Sequence, residues 1–452
     1  VVLIGSNVDT GKDALIQAPN GSTVLAAGNQ VEITGRGLEG ISMTVQAPEN
    51  NAVNLGTLKG DAVGIFAGTL KHSGLIQATA VSVEGGKVLL KGAQDAEISG
   101  TVTAQKGSLG GQIHATAGKV KLKSGAVIDA SGAAGGGEVL IGGGWQGQDA
   151  RVANASQTTA EAGATINADA TQQGNGGTVV LWSDDATRTQ AAITARGGVQ
   201  GGHGGKLETS GKRFLDATVA PQLNARATGW SGGDWLLDPY ELIVGTGTPA
   251  APSPVANEYT GFNSNSSSYV PAATINTALS LGTSVTLQTS GGASAPSQNE
   301  VRIRVSENIT KSAGTAATLK LVAHENVQVD NGVTIGSIGG PLNIEFKSGY
   351  SASDTIASST GGSVILGTGA TLNANGGTIS LTGIATGSTA LEAVQATQAV
   401  LTSGGGAITL TGTHGSVNRR GVYLDRTTIN SGGGAITLGS TTSNIRLEGS
   451  SL

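Results

Sequence analysis

The carboxylates with the best spacing for acid–base chemistry are Asp184, Asp185 and Glu208. The two aspartates form the only Asp-Asp pair in the chain, and Glu208 lies about one repeat further along. Polysaccharide lyases and hydrolases need several carboxylates, or a set of Lys and Arg, converging on one face. The competing interpretation is that these carboxylates cap a turn and pair at the surface with basic neighbours, namely Arg188, Lys206 and Lys212. We favour this interpretation, and therefore expect no catalytic residue and no enzyme activity.

Histidines and glycine-rich runs give little support for a metal, haem or phosphate site. The histidines are far apart and lack the spacing of metal ligands, so we expect solvated corner positions for all of them: His72, His114, His203, His324 and His414. The run Gly143–Asp149 differs from the calcium-binding nonapeptide pattern, because its third glycine and its aspartate each lie one position away from where that pattern requires them. No glycine run ends in the Gly-Lys-Ser/Thr of a phosphate loop. We therefore expect no metal ligand and no cofactor.

The tryptophans are concentrated within about 90 residues, at Trp145, Trp182, Trp230 and Trp235. Exposed aromatic side chains on a flat β-surface stack on sugars, so a glycan-binding patch is one interpretation. The alternative is that they seal the core or the base of the loop that follows them. Trp235 is followed by two leucines and is predicted to pack inside.

Glycine pairs followed by a β-type run recur along the chain and identify the elements that must position these side chains. From Gly86 to Gly205 the second glycines of successive pairs are 25, 26, 40 and 28 residues apart, and the last spacings are 29 and 28. A period of this size indicates a solenoid, in which each repeat buries its apolar face against its neighbours. The 40-residue step predicts an extra corner or loop around residues 143–160.

A coil of about 25 residues accommodates three short strands and three turns, which is the geometry of an all-β, parallel β-helix. Corner glycines are expected to supply the positive φ of sharp turns. Alternation within Ala126–Ser131 places Ile128 on the inner face. At a strand spacing of about 4.8 Å, roughly 17–19 coils would form a rod of roughly 80–90 Å. The best helix candidate is a single short element, Ala273–Leu281.

Composition excludes several classes of protein. The 452 residues include 74 glycines, only 3% aromatics and no cysteine, so disulfides and thiolate sites are excluded. With 13% charged residues and a net charge of −5, the chain has no basic stripe for nucleic acid. No run approaches 18 apolar residues, so no membrane span is expected. The start at Val1-Val2-Leu3-Ile4 is typical of the interior of a larger protein.

The region Gly245–Ala272 breaks the repeat, with four prolines and an Asn/Ser-rich run. We predict a β-helix over residues 1–245, a projecting loop over 246–272 and a continued β-helix over 273–452. The loop is the candidate ligand-contact site, and its candidate contact residues are Tyr259, Phe262, Asn263, Asn265 and Tyr269.

Several motifs carry a resemblance to a known family: Gly137–Gly143, Val179–Asp184, Gly205–Lys212, Trp235–Pro239 and Ile275–Leu287. With them, the chain resembles the exoproteins of bacterial two-partner secretion, the filamentous-haemagglutinin-like adhesin family, over an interior fragment that follows the secretion domain. The match is strong over about residues 110–290. The resemblance implies a right-handed parallel β-helix, export through an outer-membrane two-partner-secretion transporter, and a secreted or cell-surface location.

From the fold and the resemblance together we expect an adhesin, a rigid β-helical rod that attaches to host cells, other bacteria or biofilm matrix. Its ligand would be a glycan or protein of the host surface or matrix, contacted by projecting loops through many weak polar interactions. One alternative is a haem- or haemoprotein-capturing exoprotein that uses a long loop as its ligand hook. The other is a polysaccharide-degrading β-helix enzyme.

Overall fold

A computed structural model describes residues 1–28, 30–33, 41–44, 50–80, 86–246, 254–255, 258–259, 268–289, 302–351, 355–356, 361–385, 391–416 and 418–452. The chain divides into two compact units. The first comprises Val1–Gly211 and Val219–Trp235, and the second comprises Lys212–Thr218 and Leu236–Leu452. Nearly all of the regular elements in each unit are β-strands, so the predicted all-β class is confirmed.

The longest strands of the structure, Leu15–Ala27, Thr57–His72 and Lys87–Ile98, belong to the first unit. Its strands are β1 (Val2–Gly5), β2 (Val8–Thr10), β3 (Leu15–Ala27), β4 (Gln30–Ile33), β5 (Ile41–Thr44), β6 (Asn51–Asn54), β7 (Thr57–His72), β8 (Leu75–Ala80), β9 (Lys87–Ile98), β10 (Thr101–Lys106), β11 (Leu109–Gly110), β12 (Gln112–Thr116), β13 (Lys119–Leu122), β14 (Val127–Asp129), β15 (Glu138–Ile141), β16 (Gln157–Ala160), β17 (Thr165–Asn167), β18 (Thr178–Ser183), β19 (Ala186–Thr189), β20 (Ala192–Thr194) and β21 (Lys206–Gly211).

Three parallel ladders run through the first unit, one along each face of a parallel β-helix. Face A stacks β12, β15, β18 and β21, face B stacks β13, β16 and β19, and face C stacks β10, β14, β17 and β20. The strand β7 bends twice and contributes to all three faces within one coil. Continuous parallel pairing of this kind confirms the predicted parallel β-helix.

Aliphatic side chains stack in register inside the coils. On face C, one inward position is occupied in successive coils by Ile76, Val102, Ile128, Ile166 and Ile193. Ile128 has no exposed surface, whereas its strand neighbours Val127 and Asp129 point outward and are half-buried. The alternation predicted for this strand is confirmed, and burial of such layers is the main stabilising contribution.

The second glycine of each pair is required by close approach between coils. A Cβ on Gly137, Gly177 or Gly205 would lie 2.0–2.1 Å from the carbonyl oxygen of the equivalent glycine one coil earlier. None of these three has a positive φ. The predicted reason, positive φ at the corner, is therefore wrong for them, although it holds for other corner residues such as Gly125 and Gly163.

Replacing Gly177 with Ala tests this close approach. The new Cβ would meet the Gly137 carbonyl oxygen at 2.0 Å, so the two coils must separate. We expect a loss of unfolding free energy of about 1–3 kcal/mol, the scale of an overpacking substitution. Thermal melting followed by circular dichroism measures it. Gly11→Ala is the matched control, because a Cβ there meets nothing within 4 Å, and equal melting temperatures for the two variants would contradict the explanation.

A buried polar ladder lies at one corner of the first coils. Thr10 Oγ1 donates to Asn54 Oδ1 at 2.6 Å, and Asn54 Nδ2 lies 3.1 Å from His72 Nδ1. The other ring nitrogen of His72 lies 3.2 Å from the carbonyl oxygen of Thr101. Nδ1 must accept from the amide, so the ring is neutral with its proton on Nε2. Burial lowers the pKa of His72 from 6.5 to about 4.

This shift predicts a loss of stability in acid. Unfolded chains bind a proton at His72 below pH 6.5, whereas the folded unit binds it only near pH 4. The unfolding free energy should therefore be fully retained above pH 6.5 and fall by roughly 1.4 kcal/mol per pH unit down to about pH 4. Denaturant titrations across this range measure the slope. His72→Leu should reduce it, exposed His203→Gln should not, and equal slopes in all three proteins would exclude His72 as the cause.

The second unit continues with shorter strands and one helix. Its elements, with β23 at the division between the units, are β22 (Phe214–Ala217), β23 (Asp234–Leu237), β24 (Leu242–Val244), β25 (Pro254–Val255), β26 (Glu258–Tyr259), β27 (Ser268–Val270), α1 (Ala272–Ser280), β28 (Ser284–Gln288), β29 (Ile303–Val305), β30 (Ile309–Lys311), β31 (Ala317–Ala323), β32 (Val327–Val329), β33 (Thr334–Ser337), β34 (Leu342–Ser348), β35 (Val364–Leu366), β36 (Thr371–Asn373), β37 (Ile379–Ala385), β38 (Val394–Thr397), β39 (Val400–Thr402), β40 (Ile408–His414), β41 (Arg420–Asp425), β42 (Thr428–Asn430), β43 (Ile436–Ser440) and β44 (Asn444–Glu448).

Three parallel ladders run through the second unit. One stacks β28, β31, β34, β37, β40 and β43, another stacks β29, β32, β35, β38, β41 and β44, and a third stacks β30, β33, β36, β39 and β42. In the first of them Leu319, Ile344, Ile379 and Ile408 are in register and buried. The near-identical repeats at residues 403–410 and 431–438 lie on successive coils, because Ile408 pairs with Ile436.

One strand of the second unit lies out of sequence order. β27 pairs in parallel with β22 on one side and with β24 on the other, so it is inserted between strands that precede it in the chain. The helix α1 follows directly, confirming the short helix predicted there, and the Asn276 side chain accepts a hydrogen bond from Thr310 N at 2.8 Å. The helix thus lies against the start of the third ladder.

A buried lysine occupies one inward position of that third ladder. Lys311 pairs with Ser337, and its side chain has no exposed surface. Its ammonium donates to the carbonyl oxygens of Ala313 at 2.6 Å, Gly314 at 3.1 Å and Gly339. Ser337 Oγ likewise donates to a corner carbonyl, that of Gly340, at 2.6 Å. Burial lowers the pKa of Lys311, and the three carbonyls offset the cost of burying its charge.

Candidate ligand-binding site

The predicted carboxylate set does not form an open catalytic face. Glu208 has no exposed surface, and its Oε2 accepts a hydrogen bond from Gln146 N at 2.7 Å. Asp184 is exposed, but its Oδ1 accepts hydrogen bonds from Asn154 Nδ2 at 3.2 Å and Trp182 Nε1 at 3.3 Å. Surface pairing, the favoured prediction, is therefore wrong for Glu208, because a segment of chain covers its face.

That segment is the excursion of residues 142–156, which leaves face A after β15 and returns at β16. It contains the 3₁₀ turn Trp145–Gly147 and accounts for the 40-residue step in the glycine spacing. The excursion covers outward-pointing residues of face A, with Trp145 packed against the cluster Leu140, Val152, Val180 and Trp182. Since Val180 pairs with Glu208, the same cover removes this carboxylate from solvent.

A charged network holds the excursion on face A. The Arg151 guanidinium bonds Glu138 at 3.1 Å and Asp149 at 2.6 Å. On its other side Glu138 lies 2.8 Å from His114 Nε2. The hydrogen bond from His114 is the main cause that holds the pKa of Glu138 below its usual range, and Arg151 adds a smaller effect. Arg151 also lowers the pKa of Asp149. Asp149 and Arg151 belong to the excursion, whereas His114 and Glu138 belong to face A, so the network fastens one to the other.

The remaining histidines divide between the interior and the surface. His72, His114 and His414 are at most 5% exposed, so the prediction of solvated corners is wrong for them. Each of these rings has a polar partner: His114 Nε2 lies 2.8 Å from Glu138 Oε1, and His414 Nδ1 accepts from Ser416 N at 2.9 Å. His324 is half-buried, and His203 is exposed at a corner as predicted.

Three stacked turns, residues 171–176, 198–204 and 228–233, form one corner of the first unit. Because this corner carries the exposed side chain of Trp230, we call it the Trp230 corner. Asn175, His203 and Ser231 each immediately precede a glycine pair and occupy equivalent positions. Asn175 Oδ1 accepts from His203 N at 2.9 Å, and His203 Nδ1 accepts from Ser231 N at 3.2 Å. Their place before a glycine pair is the sequence signal that could have identified this corner.

Trp230 stands on this corner beside His203. The two rings make an edge-to-face contact, with centroids 4.8 Å apart and planes at 75°. A Cβ on Gly201 would lie 3.1–3.3 Å from three indole atoms, so the absent side chain lets the indole pack directly on the backbone. Trp230 is 40% exposed, whereas Trp182 and Trp235 are buried. The prediction that Trp235 packs inside is confirmed, and its Nε1 donates to Thr209 Oγ1 at 2.8 Å.

The predicted contact loop is described only in part. Its candidate residues Phe262, Asn263 and Asn265 lie outside the described residues, and Tyr259 is described only as part of β26, which pairs antiparallel with β25. Tyr269 lies in the inserted strand β27, in register with Asp216 and Ile243, and is half-buried. The role of this loop in ligand contact, and the limits 246–272, stay predictions.

The described ranges hold neither a metal-binding cluster nor a membrane-spanning helix. Among them, no group of three or more His, Asp or Glu side chains is placed to hold a metal ion. No helix in that part of the chain has the length and apolar character needed to cross a membrane.

The ladders thus define a parallel β-helix protein. No protein-family model matches the chain, and no curated protein matches it. Among solved structures, the chain is similar to the crystal structure of the HMW1 secretion domain from Haemophilus influenzae, with 32% sequence identity and a TM-score of 0.44. The alignment covers 52% of this chain and 61% of that one, so the chain spans less than two thirds of its length.

Truncating Trp182 tests the role given to the excursion. Trp182→Ala removes a buried side chain from the cluster and a hydrogen bond to Asp184, so we expect a loss of about 3–5 kcal/mol in unfolding free energy. Limited proteolysis should then cut within residues 142–156. Trp230→Ala is the matched control, since an exposed indole contributes little to stability. Unchanged proteolysis of Trp182→Ala would show that the excursion does not depend on this side chain.

Proposed function

We propose that this chain is part of a secreted bacterial exoprotein of the two-partner type and acts as an adhesin. The observation that carries the proposal is the arrangement of polar groups on the first unit. Its candidate catalytic carboxylate Glu208 is buried, and the exposed aromatic and amide side chains lie on rigid corners. Rigid elements that present uncharged polar and aromatic groups suit binding.

Export by a partner transporter in the outer membrane is supported by sequence and fold. The motifs Gly137–Gly143, Val179–Asp184 and Gly205–Lys212 resemble the two-partner family, and the similar solved chain is described as a secretion domain. A chain without cysteine cannot form disulfides before it crosses the membrane. Coils that pair only with their neighbours can also form one after another as the chain emerges.

A non-enzymatic role is part of the proposal. Catalysis by carboxylates needs groups that reach the substrate at hydrogen-bond distance. Glu208 is enclosed beneath the excursion, and Asp184 Oδ1 is occupied by Asn154 and Trp182. The β-helix supplies a scaffold here, and adhesion would come from many weak contacts that add through multivalent display.

Adhesion of the purified chain to cells is the direct test. Beads coated with the chain should bind epithelial cells or biofilm matrix, and beads coated with Ile128→Asp should not, because a buried carboxylate in the core prevents folding. Val127→Asp is the matched control, since this neighbour points outward and the variant should bind like the parent. Bead counts under flow give the readout.

Failure of the parent chain to bind would contradict the proposal, and so would two other outcomes. One is equal bead binding by the parent chain and Ile128→Asp, which would mean that the folded surface is not involved. The other is release of sugar fragments from pectin or glycosaminoglycan substrates by the parent chain, with loss of that activity when Asp184, Asp185 and Glu208 are all changed to Ala. The second result would establish the enzyme alternative.

A further inference from the structure

Trp230 is the one tryptophan of the described residues that is both strongly exposed and fixed in orientation. It is 40% exposed, whereas Trp182 is 3% and Trp235 is 1% exposed. Exposure of a large aromatic side chain forfeits stabilisation that burial would provide. An aromatic ring that is held in one orientation at the surface can serve as a binding surface.

Three contacts hold the indole and its neighbour in place before any ligand arrives. Gly201 leaves room for the indole to lie against the backbone, and His203 meets it edge to face at 4.8 Å. The His203 ring is itself fixed, because its Nδ1 lies 2.7 Å from Ser231 Oγ and accepts from Ser231 N. A surface fixed in this way loses little conformational entropy when it binds.

The corner also presents two hydrogen-bond donors beside the aromatic surface. Since His203 Nδ1 accepts from the Ser231 backbone, the neutral ring carries its proton on Nε2. Within the described residues, neither His203 Nε2 nor Trp230 Nε1 forms a hydrogen bond. Two N–H groups next to an exposed indole match a ligand with an apolar face and a hydroxyl-bearing rim.

Charge decides which class of such ligand fits. The turns of the Trp230 corner, at residues 171–176, 198–204 and 228–233, contain no Asp, Glu, Lys or Arg. The nearest arginine in the sequence, Arg226, is engaged: its guanidinium donates to the carbonyl oxygens of Gly197 and Ala170. These turns carry no Lys or Arg of their own to pair with an acidic ligand, so a neutral ligand is favoured.

We propose that the Trp230 corner binds a neutral hexopyranose of a glycan. The C–H face of the sugar would stack on the Trp230 indole, and its hydroxyls would accept hydrogen bonds from His203 Nε2 and Trp230 Nε1. Exposed amides in the same turns, Gln173, Asn175 and Gln200, would border the ligand. This inference rests on the proposed adhesive function and gives it a ligand class and a place.

The test uses the full chain and soluble sugars. Tryptophan fluorescence and calorimetry are recorded while neutral β-linked glucose and galactose oligosaccharides are added, with sialylated and sulfated oligosaccharides as the comparison set. Trp230→Ala should lose affinity by about tenfold or more, the scale of one aromatic stacking contact. Trp230→Phe should retain part of the binding, and His203→Gln should weaken it.

Val199→Ala is the matched control, because Val199 is a 50% exposed apolar residue in the same set of turns and should not matter. Unchanged affinity of Trp230→Ala, or no binding of any neutral sugar by the parent chain, would overturn the inference. So would tighter binding of sialylated or sulfated sugars. A cell-adhesion assay separates the two proposals. If Trp230→Ala adheres at the parental level while no sugar binding is found, only the sugar site at the Trp230 corner is overturned. If the parent chain itself does not adhere, the proposed adhesive function is overturned.

Discussion

The constraint on which the first unit depends is the distance between one coil and the next. Parallel strands must lie about 4.8 Å apart for their hydrogen bonds to form. At the glycine corners the backbones come closer than a side chain allows: a Cβ on Gly205 would lie 2.1 Å from the Gly177 carbonyl oxygen. Only glycine fits at these corner positions, and this is why glycine pairs recur along the sequence of the β-helix. The strands between the corners are held in register by the same spacing.

Fixed spacing also decides where polar groups can lie. An inward position is stacked directly on its equivalent in the next coil, so a polar side chain there needs a partner in the same stack or at the same corner. His72 meets this requirement through Asn54 and the Thr101 carbonyl, and Lys311 meets it through three corner carbonyls. Polar side chains that have no such partner can lie instead at the corners and in excursions such as residues 142–156, where they reach solvent.

Local pattern predicted what depends on local sequence. Alternation placed Ile128 inside, glycine spacing located the coils and the excursion, and the helix at Ala272–Ser280 was expected within one residue. The prediction failed where a distant segment decides the environment. Glu208 is buried because residues 142–156 fold over its strand, and β27 is inserted between β22 and β24, which precede it. Neither event leaves a periodic signal in the residues concerned.

The Trp230 corner shows how a repeat can acquire binding chemistry without disturbing its scaffold. In these turns the residue before the glycine pair accepts a hydrogen bond from the next coil, a role that Asn175 and His203 both fulfil. Because an amide and an imidazole serve equally well, the position is free to vary while the glycines after it are not. An imidazole there leaves its second nitrogen facing outward, and a nearby glycine such as Gly201 admits an indole beside it. The rigidity of the glycine corner is thus what allows a variable side chain to be held in one orientation at the surface.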